Sequence, residues 1–387
     1  MTQKTWTLTD AESVTNLSEF SIGPQDLGAS GSWSISKRTL HGGRREGVDV
    51  VEVDNGRFRF TVIPTRGMGI WRGWMGDAML GWRSPAGGPV HPQYVPVTEP
   101  GGLGWLDGFD ELLVRCGLEN NGAPEFDENH NLKYPLHGRI ANLPAHRVEV
   151  TVDTDSGEIS VTGQVDESRF HFQKLRLNAT VTTRLDEPGF RIHDEVQNLS
   201  ASPAEFQMLY HVNFGTPLLD GGSKLVLPAK TIVPRNAHAA TSVDAWDSYQ
   251  AEQPAFEEQV YFFDLHCDDD GQTRALLKNA HGTEGVSLSY DTRQLPCLSQ
   301  WKNTTAVADG YVTGIEPGTN YPNPRTFEGA QGRFVKLAAG ESKSLDLALT
   351  WHRTAAEVAA AEQSVAALQG DQQPQVHREP QETWCAP

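Results

Sequence analysis

A chain of 387 residues with 38% hydrophobic side chains and 10 tryptophans can bury the core of one large domain or two ordinary ones. Its formal charge of −18 argues against nucleic acid or an anionic membrane as a partner, because either needs a basic face. The four cysteines, Cys116, Cys267, Cys297 and Cys385, are far apart with no C-x-x-C pair, which argues against a zinc knuckle or a dense disulfide framework.

Met1 to Trp6 lack the apolar core of a signal peptide, and no apolar run approaches the length of a membrane span, so a soluble, cytoplasmic protein is predicted. Residues 1–31 read as a lead-in packing on the domain. Val48 to Val53 and Phe58 to Ile63 are strand-like runs separated by Asp54-Asn55-Gly56, a hairpin turn. Gly87 to Asp127 breaks the pattern. It is rich in Gly, Pro and Trp, with Gly101-Gly102-Leu103-Gly104-Trp105 at its centre, and is predicted to be a long connection forming a pocket wall. Strand character resumes at Arg147 to Asp153, Ile159 to Val165, Leu175 to Thr183 and Phe190 to Val196. It continues at Glu205 to Tyr210, Lys224 to Leu227, Gly285 to Tyr290, Leu298 to Trp301, Gly332 to Leu337 and Lys343 to Trp351. Ala355 to Leu368 is the best helical stretch, stopping at Gly370, and the polar, Pro-rich segment from Asp371 to Pro387 is predicted to be a loose tail. No linker interrupts residues 32–352. The pattern predicts an all-β fold, one large antiparallel sandwich or barrel-like domain over 32–352 with few short helices, followed by a helix and tail over 353–387.

The segment from Gly314 to Pro322 sets Glu316 after the apolar run Tyr311-Val312-Thr313-Gly314-Ile315 and before a Pro/Gly/Asn turn. A carboxylate on a stiff strand end beside a pocket-shaping loop is a candidate general base. His137, followed by Gly138 and Arg139, and His211, in Tyr210-His211-Val212-Asn213-Phe214, are candidate partners. Arg139 stands two positions from His137, on the same side if the chain is extended. Arg66, Arg72, Arg115 and Arg325 adjoin Gly, Pro or aromatic residues or lie within a few positions of them, and are candidate donors to a sugar hydroxyl or carboxylate. His91, His130 and His238 lie in loop-like sequence that can approach a pocket. Trp105 and other tryptophans could stack on a sugar's apolar face. No H-x-H, H-E-x-x-H, calcium-loop, G-x-S-x-G or dinucleotide motif occurs, so no metal or cofactor is predicted.

Taken in order, Pro64 to Gly67, Leu136-His137-Gly138, Tyr210 to Phe214 and Gly314-Ile315-Glu316-Pro317 resemble the aldose 1-epimerase, or galactose mutarotase-like, superfamily. The resemblance spans roughly residues 40 to 352 and implies a supersandwich of antiparallel strands. By that resemblance Glu316 matches the general base, His211 the general acid, His137 the substrate-positioning histidine and Arg66 the sugar-binding arginine. Asp247 is taken for the aspartate that holds sugar hydroxyls, and Arg139, Asn213 and Trp105 for further substrate contacts.

The implied reaction is mutarotation, with acid and base on opposite sides of a sugar ring and no cofactor or metal. The implied partner is a small carbohydrate, a neutral monosaccharide or a sugar acid, and a homo-oligomer is compatible with it. The alternatives are a same-fold epimerase or lyase acting on an acidic or phosphorylated sugar, and a non-catalytic carbohydrate-binding protein.

Overall fold

The computed structural model describes residues 3–387. Among them the strands form two large sheets, of ten and fourteen strands, whose inner faces share one hydrophobic core. The alternation of the sequence produces this directly. In Glu158–Ser168 and Lys174–Arg184 every second side chain is buried. Ile159, Val161, Val165, Leu175, Leu177 and Val181 enter the core, while Thr162 meets Thr180 and Gln164 meets Asn178 on the opposite face.

The fourteen-stranded sheet carries the chemistry. Its middle runs Ala229–Pro234, Gln259–Leu265, Cys297–Asn303, Val312–Gly318, Ala204–Gly215 and Leu113–Leu118, all antiparallel neighbours. Tyr210, Val212, Ile315, Leu298, Tyr261 and Phe263 face the sandwich core. Leu209, Val114 and Cys116 face the other way, where Trp82, Trp105 and Phe109 cover them.

Three expectations are corrected. Gly87 to Asp127 is not all connection, because Leu113–Leu118 within it is a central strand buried at every residue. A strand covered on both faces has no alternation to read, and the charge of Arg115 disguised it further. The lead-in supplies strands to both sheets, Gln3–Asp10 to one and Glu19–Ile22 to the other; its Met1 and Thr2 lie outside the described residues. Buried Lys37 ties these parts together, donating to Thr9 Oγ1 at 3.1 Å and Asn16 Oδ1 at 2.8 Å and pairing with Asp49 at 3.0 Å. The tail is docked rather than loose. Gln375–Val376 pairs in parallel with Ala229–Pro234, Trp384 stacks on Tyr321 at 4.9 Å between centroids, and Cys385 is buried. Polar composition concealed these two apolar anchors. Helix Ala355–Gln369 forms where predicted, capped by Thr354 and Glu357. No helix among the described residues is long and apolar enough to cross a membrane.

Arg115 is an inner-face bolt between the sheets, not a pocket donor. Its guanidinium binds Asp194 of the facing sheet at 2.5 and 2.9 Å and donates to Met68 O at 2.5 Å. Tyr210 Oη donates to the same carboxylate at 2.9 Å. All three side chains are fully buried. Removing one partner leaves a buried charge without its counterpart, so Asp194→Ala is expected to lower unfolding free energy by about 3–5 kcal/mol. Equilibrium denaturation in urea measures this directly.

Candidate active site

The pairing of Val212 with Ile315 and of Asn213 with Gly314 sets His211 directly opposite Glu316 on neighbouring strands. His211 Nε2 lies 3.1 Å from Glu316 Oε1, tilted out of hydrogen-bond alignment. Glu316 is not at a strand end. It lies within Val312–Gly318, buried, flanked on the other side by Ser299, and the turn starts only after Gly318. Gly314 is what makes room: a Cβ there would stand 2.5 Å from Glu316 Oε1 and 2.9 Å from His211 Cε1.

Hydrogen bonds orient both imidazoles. Asn213 Nδ2 donates to Glu111 O at 3.0 Å and His211 O at 3.1 Å, so its Oδ1, 2.6 Å from His211 Nδ1, accepts from that ring. His211 Nε2 is left as the nitrogen facing Glu316. His137 Nδ1 likewise donates to Asn121 O at 2.8 Å. The chain at His137 and Gly138 is left-handed, φ 56° and 72°, and a Cβ at Gly138 would meet Asn120 O at 2.1 Å and Gly117 O at 2.3 Å. Only glycine fits there, which accounts for the His-Gly pair.

Burial dominates the electrostatics. It pushes the Glu316 carboxyl up to about 8, with the charge of Glu258 adding to the effect and Arg235 opposing it. It holds His211 neutral, well below the usual histidine range, helped by the proximity of His137. It brings His137 down to about 4, against the opposing hydrogen bond to Asn121.

These groups line a cavity of about 360 Å³. Trp105, Phe109, Leu103 and Leu106 of the Gly-rich segment form one wall, so the pocket-wall expectation for that segment holds in this part. Trp301, Val260, Glu258 and Arg235 form another. Aromatic rings surround the histidines: Trp105 is 4.6 Å from His137, Phe109 5.0 Å and Trp301 5.6 Å from His211, and the two imidazoles are 5.4 Å apart.

The structure thus brings Glu316, His211, His137 and Trp105 together, with Asn213 beneath His211 rather than at the cavity. Arg66, Arg139 and Asp247 do not line it. Arg66 is fully buried on Glu111, Val90 O (3.1 Å) and Asn142 Oδ1 (2.8 Å), fastening residues 87–127 to the body. Arg139 is turned away because the left-handed bend at His137 and Gly138 cancels the side-to-side rule of an extended chain. Asp247 pairs with Lys224 at 3.6 Å beside the other sheet. Arg72 and Arg325 pair elsewhere, with Asp110 at 3.7 Å and Glu205 at 3.6 Å. His91, His130 and His238 stay outside. Sequence reasoning missed Arg235, Glu258 and Phe109. The first two sit at the ends of Ala229–Pro234 and Gln259–Leu265, strands it had not recognised. Among the described residues no group of three or more His, Cys, Asp or Glu is arranged to hold a metal ion.

The fold is a two-sheet β-sandwich of the galactose mutarotase-like type, and its outer-face cavity is lined by two histidines and a glutamate. The chain belongs to the family described as "Domain of unknown function (DUF4432)", whose model matches residues 45–351. It is similar in structure to a proposed aldose 1-epimerase from Klebsiella pneumoniae subsp. pneumoniae MGH 78578, at 38% identity over 98% of this chain and 99% of that one, with a TM-score of 0.94. The fold is shared with galactose 1-epimerase from Lactobacillus acidophilus NCFM, at 13% identity over 84% and 100% of the two chains and a TM-score of 0.57. A galactose mutarotase-like protein from Clostridium acetobutylicum shares it too, at 16% identity over 83% and 98% and a TM-score of 0.56. No curated protein matches the chain in sequence.

With its pKa brought down to about 4, His137 is expected to remain neutral, Nδ1-protonated, from pH 5 to 8. Nitrogen-15 NMR of the imidazoles tests this; titration of His137 near its ordinary value of ~6.5 would contradict the burial argument.

Proposed function

We propose that the protein interconverts the anomers of a monosaccharide by acid–base ring opening and closure, as an aldose 1-epimerase type of isomerase. The observation that carries this reading is the cross-strand pair, His211 Nε2 and Glu316 Oε1 3.1 Å apart, in the wall of a cavity of about 360 Å³. That volume lies at the small end of ligand pockets and suits a single sugar ring. The likeness to a proposed aldose 1-epimerase supports it further.

The acid and base stand side by side, not across a ring from one another as the sequence reading had them. The chemistry accommodates this. The anomeric hydroxyl oxygen and the ring oxygen are bonded to the same carbon, so neighbouring groups reach both. The base takes the proton of the anomeric hydroxyl as the acid protonates the ring oxygen. The bond from C1 to the ring oxygen breaks, leaving an aldehyde at C1. Rotation about C1–C2 presents the other face, and closure runs both transfers in reverse.

This cycle needs one transferable proton. With Glu316 pushed up to about 8 and His211 held neutral, the pair carries one at neutral pH. Carboxyl with imidazole and carboxylate with imidazolium hold the same number of protons. Glu316 as base and His211 as acid is therefore one of two forms of a single coupled pair. Neutral His137 presents Nε2 as an acceptor for a sugar hydroxyl, and Trp105 and Trp301 offer faces to its C–H surface.

Glu316→Gln is expected to slow anomer exchange by at least ~100-fold with the fold retained, read by polarimetry or NMR exchange beside circular dichroism. Wild-type rate in that variant would refute the assignment; ligand binding with exchange no faster than in buffer, in the wild type, would leave a binding protein. Gly314→Ala should also lose exchange, since its Cβ would stand 2.5 Å from Glu316 Oε1. In the wild type the rate should fall as pH rises through about 8. A raised carboxyl keeps its proton below that pH, and above it the pair has none to transfer.

A further inference from the structure

Among the described residues Arg235 is the only lysine or arginine lining the cavity. Its backbone N–H donates to Val260 O at 3.0 Å, which continues the sheet by one residue. Val260 pairs with Trp301 and Trp301 with Gly314. Arg235 therefore starts three strands from the strand of Glu316, about 14 Å at the usual ~4.8 Å spacing. Both side chains line the same cavity, one from each side of that span.

Among the described residues the Arg235 guanidinium has no hydrogen-bond or ion-pair partner. The chain has 50 acidic side chains against 32 lysines and arginines, so carboxylates are plentiful. Arg66, Arg115 and Arg325 each have one, in Glu111, Asp194 and Glu205. The exposed acid in the cavity, Glu258, is engaged elsewhere, its Oε2 accepting from Trp301 Nε1 at 2.6 Å. Arg235 is a half-buried cation in a ligand-sized cavity that lacks the anion its fork is shaped to bind.

We propose that Arg235 anchors a carboxylate carried by the substrate, so that the ligand is a sugar acid with a free anomeric centre. This rests on the anomer-exchange reading of the same cavity. A guanidinium pairs bidentately with a carboxylate or a phosphate, so charge decides between them. A phosphate dianion would leave a surplus negative charge beside Glu258, with no second cation in the lining among the described residues to meet it.

The test compares D-glucuronate and D-galacturonate with D-glucose, D-galactose and D-glucose 6-phosphate, using NMR anomer exchange and calorimetric binding to the full chain. At least one uronate should be preferred over its neutral counterpart by ~10-fold or more in kcat/KM. Arg235→Met should shrink that ratio by a similar factor, mainly through KM, and Arg235→Lys should restore part of it. Equal handling of uronate and hexose, an unchanged ratio in Arg235→Met, or failure of both uronates to bind overturns the anchor, and preference for the phosphate overturns the carboxylate assignment. Uronate binding that depends on Arg235 without faster anomer exchange would keep the anchor and refute mutarotation. Exchange of neutral sugars alone would do the reverse.

Discussion

The register between Ala204–Gly215 and Val312–Gly318 is the constraint from which the site follows. Side chains alternate with a period of two, so the pairing that buries Val212 and Ile315 in the sandwich also puts His211 opposite Glu316 on the outer face. A slip by one residue would drive a carboxylate and an imidazole into the core and bring two aliphatic side chains out. The hydrophobic core therefore holds the polar pair in place without touching it. The same strands carry a second ionic device on their inner face, where Arg115 and Tyr210 meet Asp194 across the sandwich. Arg115 is the register partner of Tyr210, next in sequence to His211. A structural ion pair thus lies under the sheet and the His211–Glu316 pair above it, one residue apart.

Burial does the remaining work. The Trp- and Gly-rich segment covers the outer face and removes water from it, which raises the carboxyl of Glu316 and lowers both histidines together. Each imidazole is held in one tautomer by an oxygen acceptor, the side chain of Asn213 or the backbone of Asn121. Three titratable groups, one carboxyl and two imidazoles, thus face the cavity. Arg235 and the exposed acid Glu258 reach the same cavity from the far strands.

Strands with one buried face were legible from the chain because their alternation survives in the sequence, as in Glu158–Ser168. Leu113–Leu118 was not, because it is covered on both faces and broken by a charge whose partner comes from the opposite sheet. Glu316, His211 and His137 were singled out through motif order and Trp105 through its Gly-rich setting, and the four meet in one cavity. Arg66, Arg139 and Asp247 were misplaced, since the direction of a side chain depends on local backbone and on partners distant in sequence. Arg66 belongs to Glu111, 45 positions away, and the turn at His137 takes Arg139 off the line an extended chain would follow.

By itself the sequence determined the all-β class and the identity of the polar residues set on apolar strands, because period and composition are local properties, while the sandwich followed from the order of its motifs. Tertiary structure alone decided which of them meet. Cross-strand register made Glu316 and His211 neighbours although 105 positions separate them. Burial set the charge they carry, and the assembly of strands from both halves of the chain left Arg235 facing the cavity without a partner.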